Sequence, residues 1–415
     1  MKNITTGFVI AFLSAGAMYL DWVGFVNPLI NTILGFWMFY WLLQTNHKVW
    51  FWTGFGIGMT WFWWLGMSFA NYSLAWAVPI IFIVVGIVYG ILFLIIAKIA
   101  ERLANKWNNE LIDFAIKAAG LLILSYIHPL SFDWFKPELV FVNSYLGIKK
   151  WQFAIILSAM VLSLYRRNAW LLLLAVFAYP FQAQLHPKPL PNHHIVITNT
   201  MTNVIDKWKP ELQPQHIDNI FHQINRAIAE KKRLIIFPES VFALFINLRP
   251  DLMTILQGYS NDITIIAGGL YADPSGIPRN STYIFKGGEF QVANKAVLVP
   301  FGEYNPLPKW MGKIINDIFF DGAPDYVASA DVTDYTIDGI TYRNAICFEA
   351  TSEKLYQGDP QEMILISNNG WVVPSIEPTL QKLLLQYYSK KYGTTIYHSA
   401  NMSPSYMVHN GEIHY

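Results

Sequence analysis

The first part of the chain is a succession of apolar runs with short polar breaks between them, near residues 7–25, 27–45, 50–69, 75–97, 111–127, 150–165 and 169–184. A helix needs about 17–25 mostly apolar residues to cross a bilayer. The pattern therefore predicts a membrane domain of about seven transmembrane helices over residues 1–185. Beyond residue 190 the pattern changes. "HIVITNT" (194–200), "LIIFPES" (234–240), "ITIIAGGLY" (263–271), "STYIFKGG" (281–288), "YRNAICFE" (342–349) and "MILISNN" (363–369) read as strands. Helical patterns over 215–233, 242–257 and 377–392 alternate with them. Such alternation predicts an α/β layered domain over 194–415. Between the two, "LHPKPLPNHH" has the proline content of a stiff linker, placed at 186–193.

Composition sharpens this division. Charged residues make up 14% of the 415 and hydrophobic ones 53%. A soluble chain carries about 25% charge, and here the deficit lies in the first half. Net charge is +1 with no basic cluster, which argues against nucleic acid as a partner. A single cysteine excludes an intrachain disulfide. The first apolar run is followed by six more, so it reads as a membrane helix rather than a cleaved leader.

Lys2, Lys48, Lys98, Arg102, Lys106, Arg166 and Arg167 fall on one side of the predicted spans. The turn near Asn71 on the other side has no basic residue, and the longer loop 128–149 carries Lys136 and Lys149, with Lys150 at its edge. Cytoplasmic loops are enriched in Lys and Arg. The N-terminus is therefore expected inside, and seven spans place residues 190–415 outside the cytoplasm. The tryptophan-rich stretch 49–66 reads as an aromatic belt with close packing at Gly54 and Gly58, or less simply as a wall of a lipid cleft. Asp113 and Lys117, one turn apart, read as a structural pair rather than a transport site.

Three strand ends carry polar groups that a strand does not need. Glu239 follows "LIIFP", Lys295 precedes "AVLVPFGEY", and Cys347, the one thiol, follows "YRNAI". A thiolate can attack an acyl carbon, a carboxylate can take and return the proton, and a fixed cation can hold the oxyanion. Singly, each has an ordinary structural reading: a small buried hydrophobe, a turn carboxylate, a solvated lysine. Together they form an acyl-transfer set, and a lone thiol outside the cytoplasm is an oxidation hazard unless it has a use. His193 and His194 have no partners at ligand spacing, so no metal and no organic cofactor is implied.

"FPES" (237–240), "NKAVLVPFGEYNP" (294–306) and "AICFE" (345–349) resemble, in order, the three signature segments of the nitrilase superfamily. The "LVPFGEY" form behind a multi-span membrane domain resembles the apolipoprotein N-acyltransferase family within it, as do "DKW" (206–208) and "SNNGWVVPS" (367–375). The resemblance implies an αββα layered sandwich for the second domain. It implies Cys347 as acylated nucleophile, Glu239 as general base and Lys295 at the oxyanion. Glu303, Glu349 and Trp208 match supporting or substrate-contacting positions, and Tyr304 and Phe348 beside them are grouped with these. It also implies a fatty acyl chain moved from a phospholipid, through a Cys thioester, to the N-terminal amine of a diacylated lipoprotein, in ping-pong order. The bilayer of a bacterial inner membrane would be the third partner.

This sequence departs from the family pattern in places. Asn369 stands where an Asp is usual, Thr379–Leu380 replace a Gln-His pair, and the Arg usual in the following helix is missing. The sequence ends at Tyr415, before the final membrane helix of many members. A membrane-anchored carbon–nitrogen hydrolase using the same three residues is the competing reading, and a catalytically silent binding protein a third. In "PKWMGKIINDIFF" (308–320), Trp310, Ile314, Ile318 and Phe319 share one face opposite Lys309, Lys313 and Asn316. That segment is expected either to pack on its own domain or to dip into lipid.

Overall fold

The computed structural model of the protein describes residues 1–71, 74–181, 189–191, 194–307, 310 and 326–415. Apart from Trp310, the amphipathic segment expected over 308–320 lies outside the described residues, as does His193. The chain forms two compact units, one of Met1–Pro187 with Pro374–Tyr387, the other of Lys188–Val373 with Tyr388–Tyr415. Helices of ten or more residues are numbered below.

In the first unit these are α1 (Lys2–Trp22), α2 (Pro28–Leu43), α3 (His47–Phe62), α4 (Val78–Trp107), α5 (Glu110–Leu124) and α6 (Lys150–Arg166). Asn27, Asn46 and Asn109 start α2, α3 and α5, each accepting hydrogen bonds from the first free backbone N–H groups. Two stretches, Lys2–Trp22 and Ala75–Trp107, are long and apolar enough to cross a bilayer by length and composition. The helix begun at Val78 runs ten residues past the predicted end at 97, because Lys98, Glu101, Arg102 and Lys106 are strong helix formers, and stops at the left-handed cap Asn108. The segment expected at 169–184 is instead a 3₁₀ helix, Ala169–Ala178. Pro180 drives Tyr179 into an extended conformation and ends it.

The close packing expected at Gly54 and Gly58 is present. A Cβ on Gly54 would sit 2.5 Å from the Tyr89 carbonyl, and one on Gly58 2.7 Å from that of Val85. Gly86 and Gly90 give α4 the same four-residue spacing, so the two backbones meet along small residues. Lys117 pairs with Asp113 at 2.6 Å and donates to the Thr45 carbonyl at 2.8 Å, a structural pair as expected.

The second unit holds two sheets. The first contains β1 (Ile195–Ile197), β3 (Leu234–Ile236), β5 (Thr264–Ala272), β6 (Pro278–Lys286) and β7 (Glu289–Asn294) in that order, with β4 (Phe242–Phe245) beside β5. The second runs β13 (Glu412–His414), β12 (Tyr406–His409), β11 (Thr395–Asn401), β10 (Glu362–Asn368), β9 (Ile340–Ile346), β8 (Asp334–Ile337), with β2 (Asn199–Thr200) beside β11. Side chains alternate faces along a strand. Leu234, Ile236, Ile266 and Ile284 thus meet Ile346, Ile364, Ile366 and Tyr397 between the sheets. Ile235, Ile265 and Ala267 point the other way, onto Ile220 and Ile224 of α7 (Gln213–Ala229) and Leu252 and Leu256 of α8 (Pro250–Tyr259). This is the layered α/β sandwich expected from the sequence. Its last helix, α9 (Glu377–Tyr392), divides. Lys382 pairs with Asp21 at 2.6 Å and Tyr387 donates to Glu138 at 2.9 Å within the first unit. Tyr388 and Tyr392 stack on Tyr356 in the second, with centroids 4.6 and 5.1 Å away.

Other elements of this unit differ from expectation. The helix expected over 242–257 begins only at Pro250, which fits the first helical position, while "FALF" before it pairs as β4. Gly287 and Gly288, both at positive φ, turn the chain into an unanticipated β7. "HIVITNT" splits, β1 joining one sheet and β2 the other.

Candidate active site

Glu239, Lys295 and Cys347 lie just past the ends of β3, β7 and β9. Glu239 sits in the turn after Phe237, whose N–H continues the β3–β5 ladder to the Ile266 carbonyl at 2.8 Å. Ser240, next along, has φ +50. The turn lies directly over Gly268, where a Cβ would come 2.5 Å from Ser240 N and 2.7 Å from Glu239 Cα. Both are backbone atoms, so only glycine allows β5 to pass beneath Glu239.

Cys347 ends β9 with φ +55 and opens a 3₁₀ turn, Cys347–Thr351. A non-glycine residue in the left-handed region is costly and persists only when its surroundings enforce it. Here the enforcement comes from Glu349. Its Oε1 accepts from Ile346 N at 2.7 Å, and its Oε2 accepts from Ala296 N at 2.7 Å and Val297 N at 3.1 Å. One buried carboxylate therefore ties the turn carrying the thiol to the two residues that follow Lys295. Burial pushes the Glu349 carboxyl up to about 7, against the opposing pull of Lys295 and the three N–H groups.

Lys295 is 2% exposed. Its ammonium lies 2.8 and 2.9 Å from the two oxygens of Glu303 and 3.9 Å from Glu239 Oε1. Burial alone would lower the lysine pKa, but the carboxylates of Glu303 and Glu239 and the nearby Cys347 sulfur outweigh it and hold the cation firmly protonated. Asn280 bridges the two acids, its amide donating to Glu239 Oε1 at 2.7 Å and Glu303 Oε1 at 2.8 Å. Glu303 Oε2 also accepts from Val299 N at 2.9 Å. Glu239 Oε2 has no hydrogen-bond partner among the described residues. Burial raises the Glu239 pKa and the nearby Glu303 adds to it, while Lys295, Asn280 and Lys207 oppose.

The structure thus gathers Glu239, Lys295, Glu303 and Glu349 into one network beside the half-buried Cys347. Tyr304 belongs to the same turn as Glu303, its carbonyl accepting from Phe301 N at 2.8 Å, and Phe348 is buried beside Cys347. Trp208 is 38% exposed, whereas its neighbour Lys207 is 3% exposed and donates to the Glu239 carbonyl at 3.0 Å. Sequence reasoning missed three residues here: Lys207, inside the segment it had singled out, Asn280, and Gly268. Only Gly268 had a readable signal, since glycine inside a strand often marks close backbone approach.

A family model described as the apolipoprotein N-acyltransferase integral membrane domain matches residues 1–185. The chain is 39% identical over 409 residues to the apolipoprotein N-acyltransferase of Wolinella succinogenes, covering 97% of this chain and 95% of that protein. The chain belongs to the apolipoprotein N-acyltransferase family. It is also 35% identical over 405 residues to the Campylobacter jejuni member, covering 95% and 87%. Similar solved structures include an amidase from Nesterenkonia sp., at 14% identity and TM-score 0.39, covering 54% of this chain and 86% of that one. A CN-hydrolase superfamily protein from Xanthomonas campestris gives 13% identity and TM-score 0.39, covering 53% and 83%. The family's membrane domain corresponds to α1–α6 and the 3₁₀ segment after them, and the layered unit carries the acid, lysine and thiol.

Proposed function

We propose that this acyltransferase-family protein moves a fatty acyl chain from a phospholipid to the N-terminal amine of a diacylglyceryl-cysteine lipoprotein, with Cys347 as the carrier. The observation that carries the reading is a buried Lys295 held 3.9 Å from the Glu239 carboxylate beside the single thiol of the chain. In the first half-reaction Cys347 Sγ attacks the ester carbonyl while Glu239 Oε2 takes the thiol proton. Lys295 faces the oxyanion, worth roughly two to three powers of ten in rate for one such donor. Collapse breaks the ester bond, and the leaving lysophospholipid oxygen takes the proton from Glu239. In the second half-reaction the lipoprotein amine attacks the thioester, Glu239 takes the amine proton, and the carbon–sulfur bond breaks as the amide forms, Cys347 Sγ taking that proton back from Glu239.

The reaction would take place at the outer face of the bacterial inner membrane. The Lys/Arg asymmetry supports that orientation. Two of the lysines on the outer side are neutralised within the protein, Lys136 beside Asp133 at 3.6 Å and Lys150 beside Glu138 at 2.7 Å. The domain division read from the sequence, 1–185, 186–193 and 194–415, is retained in this proposal with α9 shared between the units.

The test is to incubate the purified protein with acyl-labelled phospholipid and no acceptor. Labelled enzyme, released by hydroxylamine and absent in Cys347→Ala, is expected, and the label should persist until a lipoprotein amine is added. Immediate release of free fatty acid would indicate a hydrolase, and full labelling of Cys347→Ala would end the reading.

A further inference from the structure

Lys207 has no part in the reaction just described, yet it is one of the least exposed lysines of the second unit, at 3%. Burying an ammonium is expensive unless something is gained from it. Its single hydrogen bond among the described residues is to the main-chain carbonyl of Glu239, at 3.0 Å. That carbonyl precedes Ser240, whose φ of +50 needs external support. From below, Gly268 leaves the turn no room, and from above Lys207 is the group that grips it. Ile205 and Trp208 of the same short turn are exposed, while Lys207 and Val204 face inward, so the lysine is the one charged group the turn buries.

We propose that Lys207 is the positioning residue of the general base: it pins the Glu239–Ser240 turn and supplies a second fixed positive charge to the Glu239–Cys347 pair. The proposal rests on reading Glu239 as the proton carrier. The charged and titratable groups facing Glu239 are Lys295, Glu303 and Lys207. Those facing Lys207 are Glu239 and, across a small cleft shared with Gln213 and Phe242, His216. Burial lowers the Lys207 pKa to about 8, with Glu239 opposing, so the ammonium is retained at neutral pH.

The experiment uses the full chain in detergent and the alkylation of Cys347 by iodoacetamide, followed by mass spectrometry from pH 5 to 7.5. Cys347 is the only thiol, so the signal has one source. The profile reports proton loss from the coupled pair, whichever atom holds the proton. Lys207→Met removes charge and donor, Lys207→Gln removes charge but keeps a donor, and Lys207→Arg keeps both. Losing a cation raises the proton affinity of the pair. The Met and Gln profiles should move up by about one pH unit, the low end of what one nearby opposite charge exerts. The Arg profile should stay with wild type. Should Lys207→Met fail to fold, Lys207→Gln carries the same test. Four coincident profiles, or an Arg profile displaced as far as Met, would overturn the proposal. Because alkylation needs neither lipid nor lipoprotein, failure of wild type to form a thioester would sink the acyl-transfer reading and leave this result standing.

Discussion

Replacing Glu349 by Gln tests whether one carboxylate sets the distance between nucleophile and cation. The wild-type group accepts three backbone hydrogen bonds, at 2.7, 2.7 and 3.1 Å, in a position 1% exposed. Glutamine fits the space but offers one acceptor oxygen and one NH₂. The oxygen can keep the pair from Ala296 and Val297, which share Oε2, and the NH₂ then faces the Ile346 N–H donor to donor. A buried N–H left unpaired costs about 1–3 kcal/mol, and losing the charge from the other two bonds adds about 1 kcal/mol. The total is about 2–4 kcal/mol. It falls on the turn that holds Cys347 at φ +55, so the left-handed residue is what relaxes. If the whole cost appears in the transition state, acylation slows by roughly 30- to 1,000-fold, at about 1.4 kcal/mol per tenfold. The assay is the rate of label transfer from phospholipid to Cys347, run beside thermal unfolding of the same preparation. Slow labelling with little loss of melting temperature is expected. Wild-type labelling with an unchanged melting temperature would show that the three bonds do not hold the turn.

Gly268→Ala should leave expression intact and cut the labelling rate at least tenfold, since its Cβ meets backbone at 2.5 Å directly under the base. A fully active variant would mean the Glu239 turn is not fixed from below. Glu303→Gln should destabilise the second unit by roughly 3 kcal/mol, the low end for orphaning a buried charge because Glu239 remains 3.9 Å from Lys295. Denaturant unfolding followed by tryptophan fluorescence checks it. His398 in β11 is buried with both ring nitrogens unpartnered among the described residues, and burial lowers its pKa to about 3. The unfolded chain takes up that proton near pH 6.5 while the folded one does not. Stability should therefore fall as pH drops below about 6.5, by about 2 kcal/mol at pH 5. His398→Phe should flatten that slope, and an unchanged slope would exclude His398 as its source.

The residues legible in the sequence are those whose types are wrong for their neighbourhoods. Glu239 after a run of isoleucines, Lys295 at a strand end and a solitary Cys347 all stand out against an apolar or β-branched background. Short apolar and β-branched runs likewise marked β3, β5, β6, β9 and β10, and long apolar runs marked α1–α6. Asn280 did not stand out, because an asparagine in "PRNSTYIF" looks like any polar strand residue until its amide is seen between two carboxylates. Lys207 was invisible for a related reason: a lysine is normally solvated, and only the three-dimensional path of the 204–208 turn buries this one. Strands β8, β11, β12 and β13 were missed because tyrosines, histidines and serines interrupt their apolar pattern. The seventh apolar run winds as a 3₁₀ helix that Pro180 ends, a local choice that composition averaged over a window cannot register.

The arrangement of charges explains why the site needs two carboxylates around one lysine. Had Lys295 only Glu239 beside it, the pair would settle as a buried salt bridge, and the base would be held ionised and poorly able to accept a proton. Glu303 prevents this. Both its oxygens are engaged, by Lys295, Asn280 and Val299 N, so it is the fixed counter-charge of the cation, at 2.8–2.9 Å. Glu239, a full ångström further from the same ammonium, keeps one oxygen unengaged and, buried next to a second acid, has its proton affinity raised. Two chemically identical groups are thus separated into a permanent anion and a proton carrier by distance and hydrogen bonding alone. This division predicts an asymmetry between the two amide variants. Glu303→Gln should lower stability and leave residual labelling. Glu239→Gln should fold as well as wild type, since its amide oxygen can keep the hydrogen bond from Asn280 and its NH₂ takes the place of the unengaged Oε2, yet form no thioester. Equal loss of folding in both, or labelling in Glu239→Gln, would show that the proton is carried by another group.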